Sequence, residues 1–124
     1  MHRIVLSLLA AFVLYSSPAT AEETTLGRWC DRMVPTNPKS NREITIKVTA
    51  SGDTIAAYRF VSSAAREAEL IEQTGARYLV KDSSHGDGYR IVPSSGELQL
   101  IDRDGLIRVA SRLEKSPQPG DCLP

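Results

Sequence analysis

Histidine and cysteine, the side chains behind most metal-ligand and nucleophilic chemistry, are scarce in this chain: two of each among 124 residues, beside a single tryptophan. That scarcity argues against a closed structural metal centre, which draws about four such ligands from separated segments. Neither sign of charge dominates, with 15 Lys and Arg against 15 Asp and Glu. No basic block offers itself to nucleic acid, and no cationic amphipathic run to a membrane surface. No apolar stretch reaches the ~20 residues that a membrane-spanning helix needs. No glycine precedes a convincing helix, which argues against a phosphate-binding glycine loop.

What is present begins with "MHRIVLSLLAAFVLYSSPATAEE". Arg3 gives a short basic start, Ile4 to Tyr15 an apolar run, and Ala19-Thr20-Ala21 a small-residue stop, the layout of a cleavable secretory signal. Residues 1–21 are therefore expected to be removed before Glu22, leaving 22–124 as a single domain without a membrane anchor, since about a hundred residues supply one core and not two. The signal takes Arg3 and no acid with it, so the mature chain stays close to neutral. It also takes His2 and leaves His85 as the only histidine. Export predicts a periplasmic or secreted protein in oxidising surroundings, where Cys30 and Cys122 are expected to form a disulfide rather than a metal pair or a catalytic thiol. Such a bridge would tie the proline-rich tail "SPQPGDCLP" to the first strand.

Between the cysteines, turn signals recur at a nearly regular beat: "SGD" at 51–53, "TGA" at 74–76, "HGDG" at 85–88, "SSGE" at 94–97 and "RDGL" at 103–106. The segments between them have strand length, and short strands punctuated in this way read as an antiparallel meander. In "EITIKVTA" Ile44, Ile46 and Val48 alternate with Thr45, Lys47 and Thr49, the period of two of a half-buried strand. The same alternation predicts inward Ala56, Tyr58 and Phe60, then Tyr89 and Ile91, then Leu98 and Leu100. In "GLIRVASRL" it predicts Ile107, Val109 and Leu113 inside, with Arg108 and Arg112 outside. In "ARYLVKD" Tyr78 with Val80 competes against Leu79 for the core. The stretch "SSAAREAELIEQTG", residues 62–75, admits two readings. Its alanines, glutamates and leucine suit a short helix capped at Gly75. A strand over 67–73 with Ala68 and Leu70 inward fits the meander and is the expectation here. The fold predicted is all-β, a single small up-and-down antiparallel barrel of about seven or eight strands closed by one terminal disulfide.

The segment "TLGRWCD" sharpens that expectation. Its Gly27-x-Trp29, near the start of the first strand, resembles the G-x-W signature of lipocalin-like small barrels. The resemblance implies that the glycine lets the chain bend at the closed end and that Trp29 plugs it, beneath an arginine of the last strand, Arg108 or Arg112. The ending "GELQLIDRDGLIRVASRL" also looks like the last hairpin of secreted bacterial inhibitors of alkaline metalloproteases, although a bridge spanning the whole domain departs from their local one. "HGDGY" is similar to the S-G-x-x-Y loop of periplasmic inhibitors of c-type lysozyme, with Gly86 and Tyr89 matching and His85 in place of the serine; their second motif, Y-x-x-x-T-K-G, is absent.

Catalytic chemistry would have to sit in "KDSSHGD", where Asp82, Ser83, Ser84, His85 and Asp87 crowd one turn. Residues so close in sequence more often hydrogen-bond their own backbone than assemble a triad. "DRDG" at 102–105 lacks the remaining ligands of a calcium loop and reads as a hairpin turn. The expectation is therefore no catalytic residue, no metal and no cofactor. The chain reads as a monomeric exported binding protein, hydrolase-inhibitor-like, that takes a protein partner through barrel-end loops 33–42 and 82–89, with Asp82, Ser84, His85, Asp87 and Tyr89 as the candidate contact residues. A carrier of a small apolar ligand, its tyrosines lining a pocket, and an envelope or host-directed virulence protein are the alternatives.

Overall fold

The computed structural model describes residues 22–114 and 120–124; the predicted signal segment, 1–21, lies outside them. Eight strands run in chain order: β1 (Thr24–Asp31), β2 (Arg42–Val48), β3 (Thr54–Phe60), β4 (Arg66–Gln73), β5 (Arg77–Val80), β6 (Gly88–Ile91), β7 (Leu98–Asp102) and β8 (Gly105–Arg112). Each pairs antiparallel with the next, and β8 returns to β1, so the sheet closes into a barrel with neighbours in sequence order throughout. The predicted up-and-down barrel is the fold. Among the described residues the sole helical element is one 3-10 turn, Pro38–Ser40, seated in the β1–β2 connection.

The turn beat carried this topology. Gly52, Gly75, Gly86, Gly96 and Gly105 all stand at positive φ, one in each of the five predicted turns, where a residue without a Cβ bears no steric cost. Within the ambiguous segment 62–75 the strand reading, expected over 67–73, holds: β4 spans Arg66–Gln73 and pairs Ala56↔Ala68 on one side and Leu70↔Val80 on the other. Helix propensity is worth tenths of a kcal/mol per residue. A strand between two others gains both ladders and buries Leu70, which decides the contest.

Alternation fills the interior with Trp29, Ile44, Ile46, Ala56, Leu70, Tyr78, Tyr89, Leu98, Leu100 and Ala110. Tyr78 with Val80, rather than Leu79, supplies the inward face of β5. In β8 the structure reverses the expected facing. Ile107 and Val109 are 48% and 44% exposed, while Ala110 is buried in the core cluster and Arg108 and Arg112 reach partners on β1. Counting apolar residues in β8 alone favours the opposite face, and a one-residue slip exchanges every side chain. The reason it loses lies on β1, where the buried Asp31 requires a counter-charge and Trp29 is covered by a second arginine, as described below.

Cys30 and Cys122 are bonded across 92 residues of sequence, with Cα atoms 5.5 Å apart. Cys30 lies between the inward-facing Trp29 and Asp31, so its sulfur projects from the outer face, where the tail arrives. The buried Asn41 donates from Nδ2 to the Cys122 carbonyl at 2.8 Å, and Arg32 donates to the Asp121 carbonyl at 3.3 Å. The bridge therefore fastens the tail against the start of β2 as well as to β1. Closing a loop of this length removes unfolded-chain entropy worth ~4 to 5 kcal/mol, an upper figure because strain subtracts from it. The paired Cys30→Ser, Cys122→Ser variant should unfold at markedly lower urea concentration with a loss approaching that figure. A loss below about 1 kcal/mol would show that the barrel holds its tail without the bond.

Candidate functional site at the open end of the barrel

An antiparallel meander sends alternate connections to opposite ends, and here the two ends differ. At one end the indole of Trp29 is wholly buried and donates from Nε1 to the Gly96 carbonyl at 2.7 Å. The Arg112 guanidinium lies over the indole, 5.5 Å from its centroid, and donates to the Leu26 carbonyl at 3.0 Å. Gly27 has a steric reason of its own: a Cβ there would come within 2.6 Å of the indole. One side chain thus closes this end, held by a hydrogen bond and a cation–π contact worth ~0.5 to 2 kcal/mol. Of the two arginines that the resemblance offered, Arg112 covers the indole, and Arg108 belongs to a different cluster.

That cluster occupies the other end, where connections 32–41, 61–65, 81–87 and 103–104 gather. Asp31, with no exposure to solvent, accepts from Arg108 Nε at 2.5 Å and Nη2 at 2.8 Å, and from Arg42 Nη2 at 2.9 Å. The Arg108 contact is a two-pronged guanidinium–carboxylate fork, the strongest geometry open to this pair. The carboxylate hydrogen bond holds the Arg108 pKa above its ordinary value, against burial, which lowers it. Arg42 is further braced over the Tyr58 ring, 5.2 Å from its centroid. One carboxylate between two guanidiniums leaves an excess positive charge inside the mouth.

Above this cluster opens a pocket of about 280 Å³, walled by Arg42, Tyr58, Ala68, Val80, Asp87, Tyr89, Leu100 and Arg108 among others. Tyr89 is 7% exposed. Burial pushes its phenol pKa up, opposed by Arg42 and reinforced by Tyr58, Asp31 and Asp87. The predicted contact residues divide between two settings. Asp82, Ser84 and His85 are exposed on the 81–87 connection, whereas Tyr89 sits on β6 inside the barrel. Asp87 is half-buried at the rim; its carboxylate accepts from Ser83 Oγ at 2.8 Å and its amide donates to that same oxygen at 3.1 Å. His85 presents its carbonyl to the Arg103 amide at 3.1 Å, and Ser84 its carbonyl to the Arg103 guanidinium. These bonds knit the connection to itself and to the β7–β8 turn. Among the described residues no three of His, Cys, Asp and Glu come together as a metal site would require.

Asp31 and Arg42 are the residues that sequence reasoning overlooked, although period two contained both. Asp31 stands two places from Trp29, and Arg42 two before Ile44, so each shares the inward face of a strand whose facing was already evident. A charged residue at an inward position is the signal that would have found them.

Two outcomes test this arrangement. Asp31→Asn should leave two guanidiniums facing each other without a counter-charge and cost ~3 to 5 kcal/mol in urea unfolding; a loss under about 1 kcal/mol would show the carboxylate to be dispensable. The second concerns pH. Tyr78, like Tyr89, has its pKa raised by burial, with Glu72 adding to it. In the unfolded chain both ionise near 10.0. The folded protein then binds more protons above that pH, so stability falls as pH rises through it. The melting temperature should decline above pH 10 or so, and Tyr89→Phe should decline less steeply; equal slopes would contradict the assignment. Compared with known protein families, curated proteins and solved structures, the chain matches none.

Proposed function

We propose that this protein is a small exported binding protein, without catalytic activity of its own, that engages a protein partner in the manner of a hydrolase inhibitor. Contact is made through the open end of the barrel. The observation that supports this most is the asymmetry of the ends: Trp29 and Arg112 shut one, while the other combines connections 32–41 and 81–87 around an unfilled mouth. Met33 and Val34 are exposed on the first connection, and Asp82, Ser84 and His85 on the second. Apolar and polar contacts are thereby available on one surface, the composition of a partner interface with an apolar centre. Pro35 and Pro38 stiffen the first connection, which lowers the ordering cost of binding. The disulfide is consistent with an oxidising compartment such as the periplasm or the exterior, and the signal-like start and G-x-W resemblance support the same reading.

The mouth pocket favours a second reading, a carrier of a small ligand. Envelope or host-directed virulence proteins fall under the first reading, since they too would act by protein contact.

Affinity capture separates the readings: oxidised protein is immobilised and offered lysozymes and secreted proteases in pure form. A stoichiometric complex weakened about tenfold or more by His85→Ala with Met33→Ser, but not by Ile71→Ser on the barrel wall, supports the loop-end interface. No complex with any hydrolase, or one equally weakened by the wall substitution, would overturn it.

A further inference from the structure

We infer that the mouth pocket receives a small carboxylate-bearing molecule, its anionic end against Arg42, Arg108 and Tyr89 and its apolar body against the barrel wall. This deepens the small-ligand reading, on which it rests, and does not require the protein-partner one. Three observations carry it. Arg42 Nε is buried and has no hydrogen-bond partner, a cost of ~1 to 3 kcal/mol that a small shift of the Arg42 side chain toward an acceptor in the pocket would relieve. Tyr89 is more than nine-tenths buried and lines the same pocket as the two guanidiniums. Asp31, beneath the pocket, already takes three guanidinium hydrogen bonds. The guanidinium edges at the base face the pocket, and a ligand that pairs with them there brings acceptor oxygens.

Charge selects among acceptors. Arg42 and Arg108 against Asp31 leave one positive charge at the base. Asp87, at the rim, opposes an incoming anion, and the hydrogen bond from the Ser83 hydroxyl leaves that charge in place, so the attraction is confined to the base between the two guanidiniums. A carboxylate at the base meets the excess guanidinium charge, whereas an ammonium would face two arginines. The walls beyond the charged groups are Ala68, Val80, Leu100 and the Tyr58 ring. A volume of about 280 Å³ is at the lower edge of the ~300 to 1,000 Å³ usual for ligand pockets. It suits a short aliphatic chain or a single ring.

Titration calorimetry on the oxidised protein tests this with benzoate and hexanoate, their neutral amides, and hexylamine. At least one carboxylate should bind about tenfold or more tightly than its amide, as a hydrogen bond to a charged group warrants, and hexylamine should not bind. Tyr89→Phe should weaken the carboxylate several-fold, Asp87→Asn should tighten it, and Tyr78→Phe, a buried tyrosine outside the pocket wall, should change nothing. Melting curves confirm that each variant is folded. If amide and carboxylate bind equally, the anion inference fails and the small-ligand reading stands. If none of the probes binds at millimolar concentration, both fail. Carboxylate binding that ignores Tyr89→Phe and Asp87→Asn places the ligand elsewhere and overturns the assignment to the mouth.

Discussion

A carboxylate shut away from water has to be neutralised where it stands, and Asp31 imposes that demand on the whole barrel. Desolvating an unpaired charge costs several kcal/mol, so strands that do not bring a cation to Asp31 are excluded. β2 supplies Arg42 from the adjacent strand and β8 supplies Arg108 from across the closure. The ion cluster therefore reports on the seam where the last strand meets the first. It also fixes the facing of β8: turning Arg108 inward turns Arg112 inward over Trp29 and puts Ile107 and Val109 on the outside. The apolar area surrendered there is the cost of seating two guanidiniums.

The two arginines of β8, four residues apart, thus serve opposite ends of one barrel. Arg112 and Trp29 make a shut end in which every polar atom named has a partner. Arg108, Arg42 and Asp31 make a base from which donors remain over, beneath a mouth walled by tyrosines. The disulfide secures the tail on the outer face without entering the core. The open end is left with connections that hydrogen-bond among themselves, as the 81–87 segment does with Arg103. The binding proposed above is placed at that end because rigid strands present it and the core does not depend on filling it.

Much of this architecture was legible because its signals are local. Glycine at the turns, period two in 44–48, and Gly27 beside Trp29 each follow from sterics within a few residues, and they led to the meander and to closure. The two cysteines led to a bridge because a signal-like start makes an oxidising compartment the expectation. Within 62–75 composition suited a helix while the meander favoured a strand; pairing with β3 and β5 bears out the strand. His85 and its neighbours drew attention by residue type, yet their contacts prove to be those of an ordered turn.

By itself, then, the sequence determined most of the strands, the turns between them and the bridge, which rest on patterns within a few residues or on covalent chemistry, and it marked Trp29 as the plug without choosing between Arg108 and Arg112 as its cover. The facing of β8, the union of Asp31 with Arg42 and Arg108, and the pocket above them were decided by tertiary structure. The physical reason is range: Asp31 and Arg108 are 77 residues apart. A strand's own hydrophobic pattern cannot register a charge that far away, whereas the closed barrel brings the two within hydrogen-bonding distance and lets the larger electrostatic term choose the register.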